Sequence, residues 1–150
     1  MEDRRNFDIS LNLGEQGEEW AKQFMTGEAN TTFEVKTDLQ AYDTGNFFIE
    51  VESWGKPGGL AVTTADWWIL NVIRVPHEEK SSREQRAKDY RNYRLDTKDL
   101  VYSIHIRVDY LRELVSSFPL VNGGDNNTAL GYLIPFGAFS NLGLPYSRRV

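Results

Sequence analysis

The 150-residue chain contains no cysteine and only two histidines, and no apolar run in it approaches the ~18 residues of a membrane-spanning helix. Each absence excludes something. Without cysteine there are no disulfides, thiol nucleophiles, zinc ribbons or iron–sulfur clusters, and two histidines cannot furnish a His-rich metal site. Any bound metal must be held by oxygen. No charged and then apolar leader opens the chain, so neither a signal peptide nor a membrane contact is expected, and the expected compartment is reducing and intracellular. The length fits one soluble domain, which at this size buries roughly 70% of the surface of its unfolded chain. Seventeen basic residues against 22 acidic ones give a net charge of -5. As a global figure, that balance argues against a nucleic-acid partner.

Hydrophobic periodicity organises what is present. From about Gly14 to Met25, Leu13, Trp20, Ala21, Phe24 and Met25 cluster on one helical face, and Gly27 ends the helix. Glu15 and Glu19 fall opposite that stripe, whereas Glu18 falls at its border and is the acid best placed to reach inward. From Thr31 the period switches to two. Phe33, Val35 and Thr37 alternate with Glu34, Lys36 and Asp38. A second strand from Phe47 to Ser53 sets Phe47, Ile49 and Val51 against Phe48, Glu50 and Glu52, and the intervening segment ending in Gly45-Asn46 suggests an antiparallel hairpin with an extended tip. After the breaker from Gly55 to Gly59, Leu60 to Val62 and Trp67 to Val75 suggest further strands, with a capped helical turn at Thr63 to Asp66. Val101 to Arg107 alternates, Val108 to Ser116 has a helical period, and a turn at Gly123 to Asn126 precedes a strand near Gly131 to Pro135. The expected class is a single-domain α/β fold, with one central mixed sheet flanked by helices.

Parity places Lys36 with Asp38 on one face of the first strand, and Glu50 with Glu52 on one face of the second. If the strands pair, one face collects three carboxylates and an ammonium. It is either a solvated polar face or a site for an oxygen-bound divalent cation, since unpaired like charges on neighbouring strands are destabilising.

Phe33-Glu34-Val35-Lys36-Thr37-Asp38, Thr44-Gly45-Asn46 and Phe48-Ile49-Glu50-Val51-Glu52 resemble the metal-binding hairpin of the PD-(D/E)xK nuclease superfamily, which has a restriction-endonuclease-like fold. The likeness is greatest to small phage-encoded endonucleases similar to Holliday junction resolvases, and it covers roughly residues 10 to 75. The stretch from Gly14 to Glu18 is similar to the family's first helix. The resemblance implies metal-assisted phosphodiester hydrolysis on DNA, with products bearing 5′-phosphate and 3′-hydroxyl ends. Asp38, Glu50 and the Val51 carbonyl would hold Mg²⁺ or Mn²⁺, with Glu18 or Glu52 completing a second site. Glu52 stands where the family usually has lysine. Lys36 or Lys56 is then the candidate for the missing ammonium, and Glu52 for orienting or deprotonating a water. A branched DNA substrate, a role in phage DNA recombination or repair, a homodimer, and the host-cell cytoplasm follow by the same analogy.

Local charge answers the global objection. Residues 80 to 98 hold seven basic side chains, among them Lys80, Arg83, Arg86, Lys88, Arg91, Arg94 and Lys98, against Glu84, Asp89 and Asp96. Residues 1 to 34 hold eight acids against three bases. The chain thus joins an acidic body to a basic arm, with Tyr90 and Tyr93 available for stacking or packing. The arm is either a phosphate-tracking element, with Lys56 as a further contact, or a solvated mixed-charge helix. Trp54, Trp67 and Trp68 suggest core or edge packing. His77 and His105 have no partners that suggest acid or base work. Two other functions suit the same residues: a nuclease-fold module that binds nucleic acid without cutting it, and an acidic protein-interaction protein.

Overall fold

The computed structural model describes residues 12–19, 21, 31–76, 82–140 and 146–148. A first helix, α1, runs over residues 12–19. There follow β1 (Phe33–Asp38), α2 (Ala41–Thr44), β2 (Asn46–Ser53), β3 (Lys56–Pro57), β4 (Trp67–Ile73), α3 (Arg83–Arg91), β5 (Leu100–Arg107), α4 (Val108–Val115), β6 (Leu120–Gly123), β7 (Ala129–Pro135), α5 (Gly137–Ser140) and β8 (Tyr146–Arg148). The fold is α/β, as expected. Its strands form two four-stranded sheets in place of one central sheet, the first ordered β1-β4-β5-β8 and the second β3-β2-β7-β6.

The expected hairpin between the first two strands does not form. β1 pairs in parallel with β4, with Phe33 opposite Trp67 and Asp38 opposite Val72, while β2 pairs antiparallel with β3 and β7 in the other sheet. Alternation identified both strands correctly, but a period of two carries no information about the partner. A parallel pair needs a long crossover. Residues 39 to 66 supply it, and β2 and β3 sit within it.

The sheets meet through one apolar core. Trp68, Leu70 and Val72 of β4 and Ile104 and Ile106 of β5 pack with Phe47 and Ile49 of β2 and Ile134 of β7, joined by Ala41, Val108, Leu111, Val115 and Phe139 from α2, α4 and α5. Phe47 is ringed by Phe136 and Phe139, with centroids at 4.8 and 5.3 Å. The segment from Leu60 to Val62, expected as strand, begins in a 3-10 turn at Gly59–Ala61 that buries Leu60 in this core. Thr63 to Asp66 form no helical turn. Asp66 instead accepts bonds from the backbone and hydroxyl of Thr32, tying the start of β1 to the start of β4.

A smaller apolar cluster lies on the opposite face of the first sheet. Leu13 of α1 meets Ile73, Val75 and Leu100, with Leu39, Tyr90, Tyr93 and Leu95 packed around them. The side chains of Asn12 and Gln16 bond the carbonyl of Tyr93 at 3.1 and 2.9 Å, and Gln16 accepts the backbone N–H of Leu95 at 2.6 Å. The tyrosines of the basic arm therefore anchor it to α1. Burial and the Asp99 carboxylate, bonded at 2.9 Å, push the Tyr93 hydroxyl up to about 12. Beside this cluster Asn71 is 3% exposed and accepts a bond from Ser103, whose hydroxyl also meets His105 Nε2 at 3.1 Å. The expected continuation of α1 to Met25, with Trp20, Phe24 and Met25, lies outside the described residues, as do His77 and Lys80.

Gly17 of α1 approaches β1 so closely that a Cβ on it would overlap Thr37 Oγ1, whereas a Cβ on Gly14 would meet nothing within 4 Å. Gly17→Ala should lower unfolding stability by about 1–3 kcal/mol through overpacking. Gly14→Ala should leave it unchanged or raise it by up to ~1 kcal/mol, both measured by urea denaturation. Burial holds His105 below its ordinary 6.5, so the unfolded chain takes up that proton first. The contribution is complete above pH 6.5 and is lost as pH falls from 6.5 through the lower folded value. In urea midpoints measured between pH 8 and pH 5, His105→Gln should flatten that part of the slope.

Candidate functional site

β1 is an edge strand, hydrogen-bonded on one side to β4. Its charged residues Glu34, Lys36 and Asp38 register with Trp68, Leu70 and Val72, whose side chains belong to the main core. The polar face of β1 thus looks toward the space between the sheets at its rim. There a cleft of about 360 Å³ is lined by Lys36, Thr37, Asp38, Glu50, Gly59 and Trp68, with Phe47, Phe48, Ile49 and Leu70. Asp38 and Glu50 come from different sheets, yet they border the same cleft.

Two backbone N–H groups fix Asp38. Its Oδ1 accepts from Gln40 at 2.7 Å and from Ala41 at 2.8 Å, turning the chain from β1 into α2. Burial nevertheless pushes the Asp38 carboxyl up, outweighing the two bonds that favour its charged form. Glu50 is positioned by a close backbone approach. Gly59, at φ +49, lies against β2 where a Cβ would overlap the Glu50 carbonyl. Arg112 of α4 holds the same turn through the carbonyls of Leu60 and Thr63, at 3.3 and 3.1 Å.

Lys36 is engaged within its own strand. It pairs with Glu34 at 2.5 Å and lies over the Trp68 ring, 5.2 Å from its centroid. Thr63 donates to the other Glu34 oxygen at 2.5 Å and accepts from Trp68 Nε1 at 3.2 Å. Burial raises the Glu34 carboxyl, but the bonds from Lys36 and Thr63 and the Lys36 charge outweigh it and hold the group below its ordinary value. Glu34 is the member of this network that the sequence reading left out. Its position two residues before Lys36 was the available signal, because parity puts Glu34, Lys36 and Asp38 on one face.

The other candidates fall elsewhere. A bulge at Val51 separates Glu50, opposite Gly131, from Glu52, opposite Leu130. Consecutive residues of β7 point to opposite faces, so Glu50 and Glu52 do not share the face that strict alternation assigns them. The Val51 carbonyl accepts the Gly58 N–H at 2.9 Å. Glu18 is exposed on α1, which packs on the far face of the first sheet, and it does not line the cleft. Lys56 is exposed at the start of β3. In the arm, Lys88 and Arg94 are exposed, Arg91 is half-buried, and the backbones of Arg83 and Arg86 lie in α3 with side chains outside the described residues.

Among the described residues, no group of three or more His, Cys, Asp or Glu side chains is placed to hold a metal ion. Asp38 and Glu50 are the two acidic residues lining the cleft, with the Glu50 Oε1 beside Gly58; Mg²⁺ commonly takes one or two carboxylates and fills its octahedron with water and phosphate. No helix among the described residues is long and apolar enough to cross a membrane. Comparison with protein-family models, with curated proteins and with solved structures gives no match.

Asp38 has two separable roles, a backbone cap and a half-buried charge. Its raised pKa means that the charge opposes folding as pH rises through the folded value. Asp38→Asn keeps an acceptor and removes the charge, so its unfolding free energy at pH 7 should equal or exceed that of the unsubstituted chain. Asp38→Ala removes the acceptor as well and should lie about 1 kcal/mol below Asp38→Asn by chemical denaturation.

Proposed function

We propose that the chain is a Mg²⁺- or Mn²⁺-dependent endodeoxyribonuclease of the PD-(D/E)xK type, acting on branched DNA in phage DNA recombination or repair. The observation that carries this reading is that Asp38 and Glu50 line one cleft, with Asp38 half-buried and in no ion pair among the described residues. Asp38 and Glu50 are the residues that would hold the ion; when bound, it would polarise the scissile phosphate and lower the pKa of a water. Asp38 is held rigidly by its two backbone donors. Lys36, fixed by Glu34, sets an ammonium at the mouth of the same cleft, where it favours an incoming phosphate. Arg94, Lys88 and Lys56 give exposed positive charge for the rest of the backbone, with Arg83, Arg86 and Arg91 in the same arm. Glu52 and Glu18 lie outside the cleft and are assigned no first contact with the ion. A homodimer would let such an enzyme cut two strands of a junction.

The pairing of Lys36 with Glu34 also favours a second reading, a module of the same fold that binds nucleic acid without cutting it. One experiment separates the two. The protein is incubated with linear duplex, single-stranded, flap and four-way-junction DNA, with and without Mg²⁺ or Mn²⁺, and the cuts are mapped. The nuclease reading expects metal-dependent cleavage with 5′-phosphate ends, lowered at least 100-fold by Asp38→Asn and by Glu50→Gln with folding intact. Cleavage that survives both substitutions sinks it. Gel retention without cleavage, and without Mn²⁺ binding by calorimetry, selects the binding module.

A further inference from the structure

The hairpin between β2 and β3 turns through Trp54 and Gly55, both with positive φ, at +52 and +72. Two successive left-handed residues define a tight turn that normally takes Asn-Gly or Asp-Gly, because short polar side chains tolerate that backbone. A tryptophan there is an outlier. It is also 67% exposed, the largest value among the exposed large hydrophobic residues. The indole therefore gains little burial from a conformation that opposes it, and an asparagine would build the same turn with less strain. The tip is not loose. The Trp54 N–H donates to the Thr128 carbonyl at 2.8 Å, which fixes it against the loop where Asn126 and Asn127 also adopt positive φ, at +57 and +56. The fold thus fixes the backbone that carries an exposed aromatic surface, so ordering the indole on a ligand costs side-chain entropy alone.

The surroundings select the occupant. Lys56, two residues on, is exposed and makes no ion pair among the described residues. Asn126 and Asn127 are exposed in the loop to which the Trp54 N–H is bonded and bring amide donors and acceptors. β3 is two residues long and ends in Pro57, so this edge is unsuited to adding a partner's strand. An aromatic plane with a cation two residues on and amides in the adjoining loop matches a nucleobase, its phosphate and its polar edge. Along β2 the tip lies four residues from Glu50, but the bulge at Val51 lets Glu50 to Ser53 advance only two residues along β7, so the span is about 10 Å. That span equals roughly three stacked nucleotides at ~3.4 Å per base.

We propose that Trp54 is a stacking platform for an unpaired base, with Lys56 taking the neighbouring phosphate, so that the hairpin tip engages DNA where a strand leaves its duplex. The assignment rests on the nucleic-acid reading above, and it names the substrate feature recognised as single-stranded character about three nucleotides from the cleft. Because the base in the stack is read by its π-face, little sequence preference follows.

The test compares the unsubstituted full-length chain with Trp54→Asn, Trp54→Phe and Lys56→Gln, by fluorescence anisotropy on blunt duplex, single-stranded and forked DNA without divalent metal. Trp54→Asn should melt at the same or a higher temperature, since it suits the turn, while losing about 5- to 100-fold affinity for forked and single-stranded DNA. Its duplex affinity should be unchanged. Trp54→Phe should retain most of the fork affinity, and Lys56→Gln should lower it on a shallower salt slope. A 2-aminopurine placed about three nucleotides from the branch should be quenched by the unsubstituted chain and not by Trp54→Asn. If the unsubstituted chain binds or cuts DNA and Trp54→Asn binds forks equally well, the platform fails while the nucleic-acid reading stands. A chain that retains no DNA of any form overturns both. Trp54 emission that shifts on anionic vesicles and stays unmoved by DNA identifies a membrane occupant and overturns the platform. A Trp54→Asn chain that melts lower and loses duplex and fork binding alike marks Trp54 as structural and overturns it too.

Discussion

The parallel pairing of β1 with β4 is the constraint on which the remaining architecture hangs. Parallel neighbours cannot be joined by a tight turn, so the chain must leave the first sheet at Asp38 and return at Trp67. Within that excursion it builds α2, β2, β3 and the 3-10 turn at Gly59–Ala61, and β2 becomes an inner strand of the second sheet. The excursion covers one face of the first sheet and so creates the main core. Its two ends are pinned locally. Asp38 caps the turn on departure, and Asp66 ties Thr32 to the returning chain.

That topology decides what happens to the charges of β1. On a solvated surface hairpin, Glu34, Lys36 and Asp38 would face water and interact weakly. Facing the rim of the core, they are partly desolvated and respond differently. Glu34 and Lys36 compensate one another, helped by Thr63 and the Trp68 ring. Asp38 has backbone donors and, among the described residues, no ion pair, and burial wins. The same strand thus carries one satisfied charge pair and one carboxylate for which a positive ligand would be stabilising.

Element identity was legible where the period was strong. The alternation of Phe33 to Asp38 and of Phe47 to Ser53, and the helical stripe of Leu111 and Val115, correspond to β1, β2 and α4. Pairing was not legible, because the hydrophobic pattern of a strand says which face is buried and nothing about which strand covers its edge. The bulge at Val51 escaped for a related reason: parity assumes an unbroken ladder, and one inserted residue moves Glu52 off the face of Glu50. Leu60 to Val62 misled because a three-residue apolar run fits a strand or a buried turn equally well. Short β6 and β8 carry too few residues to show any period. In the candidate site, Asp38, Glu50 and Lys36 were legible from type and spacing. The lock on Lys36 depends on Glu34 and on Thr63, which lies 29 positions away from Glu34 in the chain.

The basic arm acquires a different meaning once its tyrosines are placed. Tyr90 and Tyr93 pack under α1 on the face of the first sheet that points away from the main core, while Asp38 and Glu50 border a cleft on the core side. The arm's apolar and aromatic residues are thus spent on docking, which leaves its exposed charge for solvent or for a ligand. A single straight duplex lies along one side of a sheet. A nucleic acid that touches both the arm and the cleft must change direction around the rim of the first sheet, at the edge strand β1. Branching or local unpairing supplies that change of direction at low elastic cost, whereas bending an intact duplex through 40–90° over 20–30 base pairs costs of order 1–6 kcal/mol. On the proposed nucleic-acid reading, an arm and a cleft divided by one sheet would favour a ligand that is already bent, and the net charge of -5 does not oppose it, because the acids and bases are segregated along the chain.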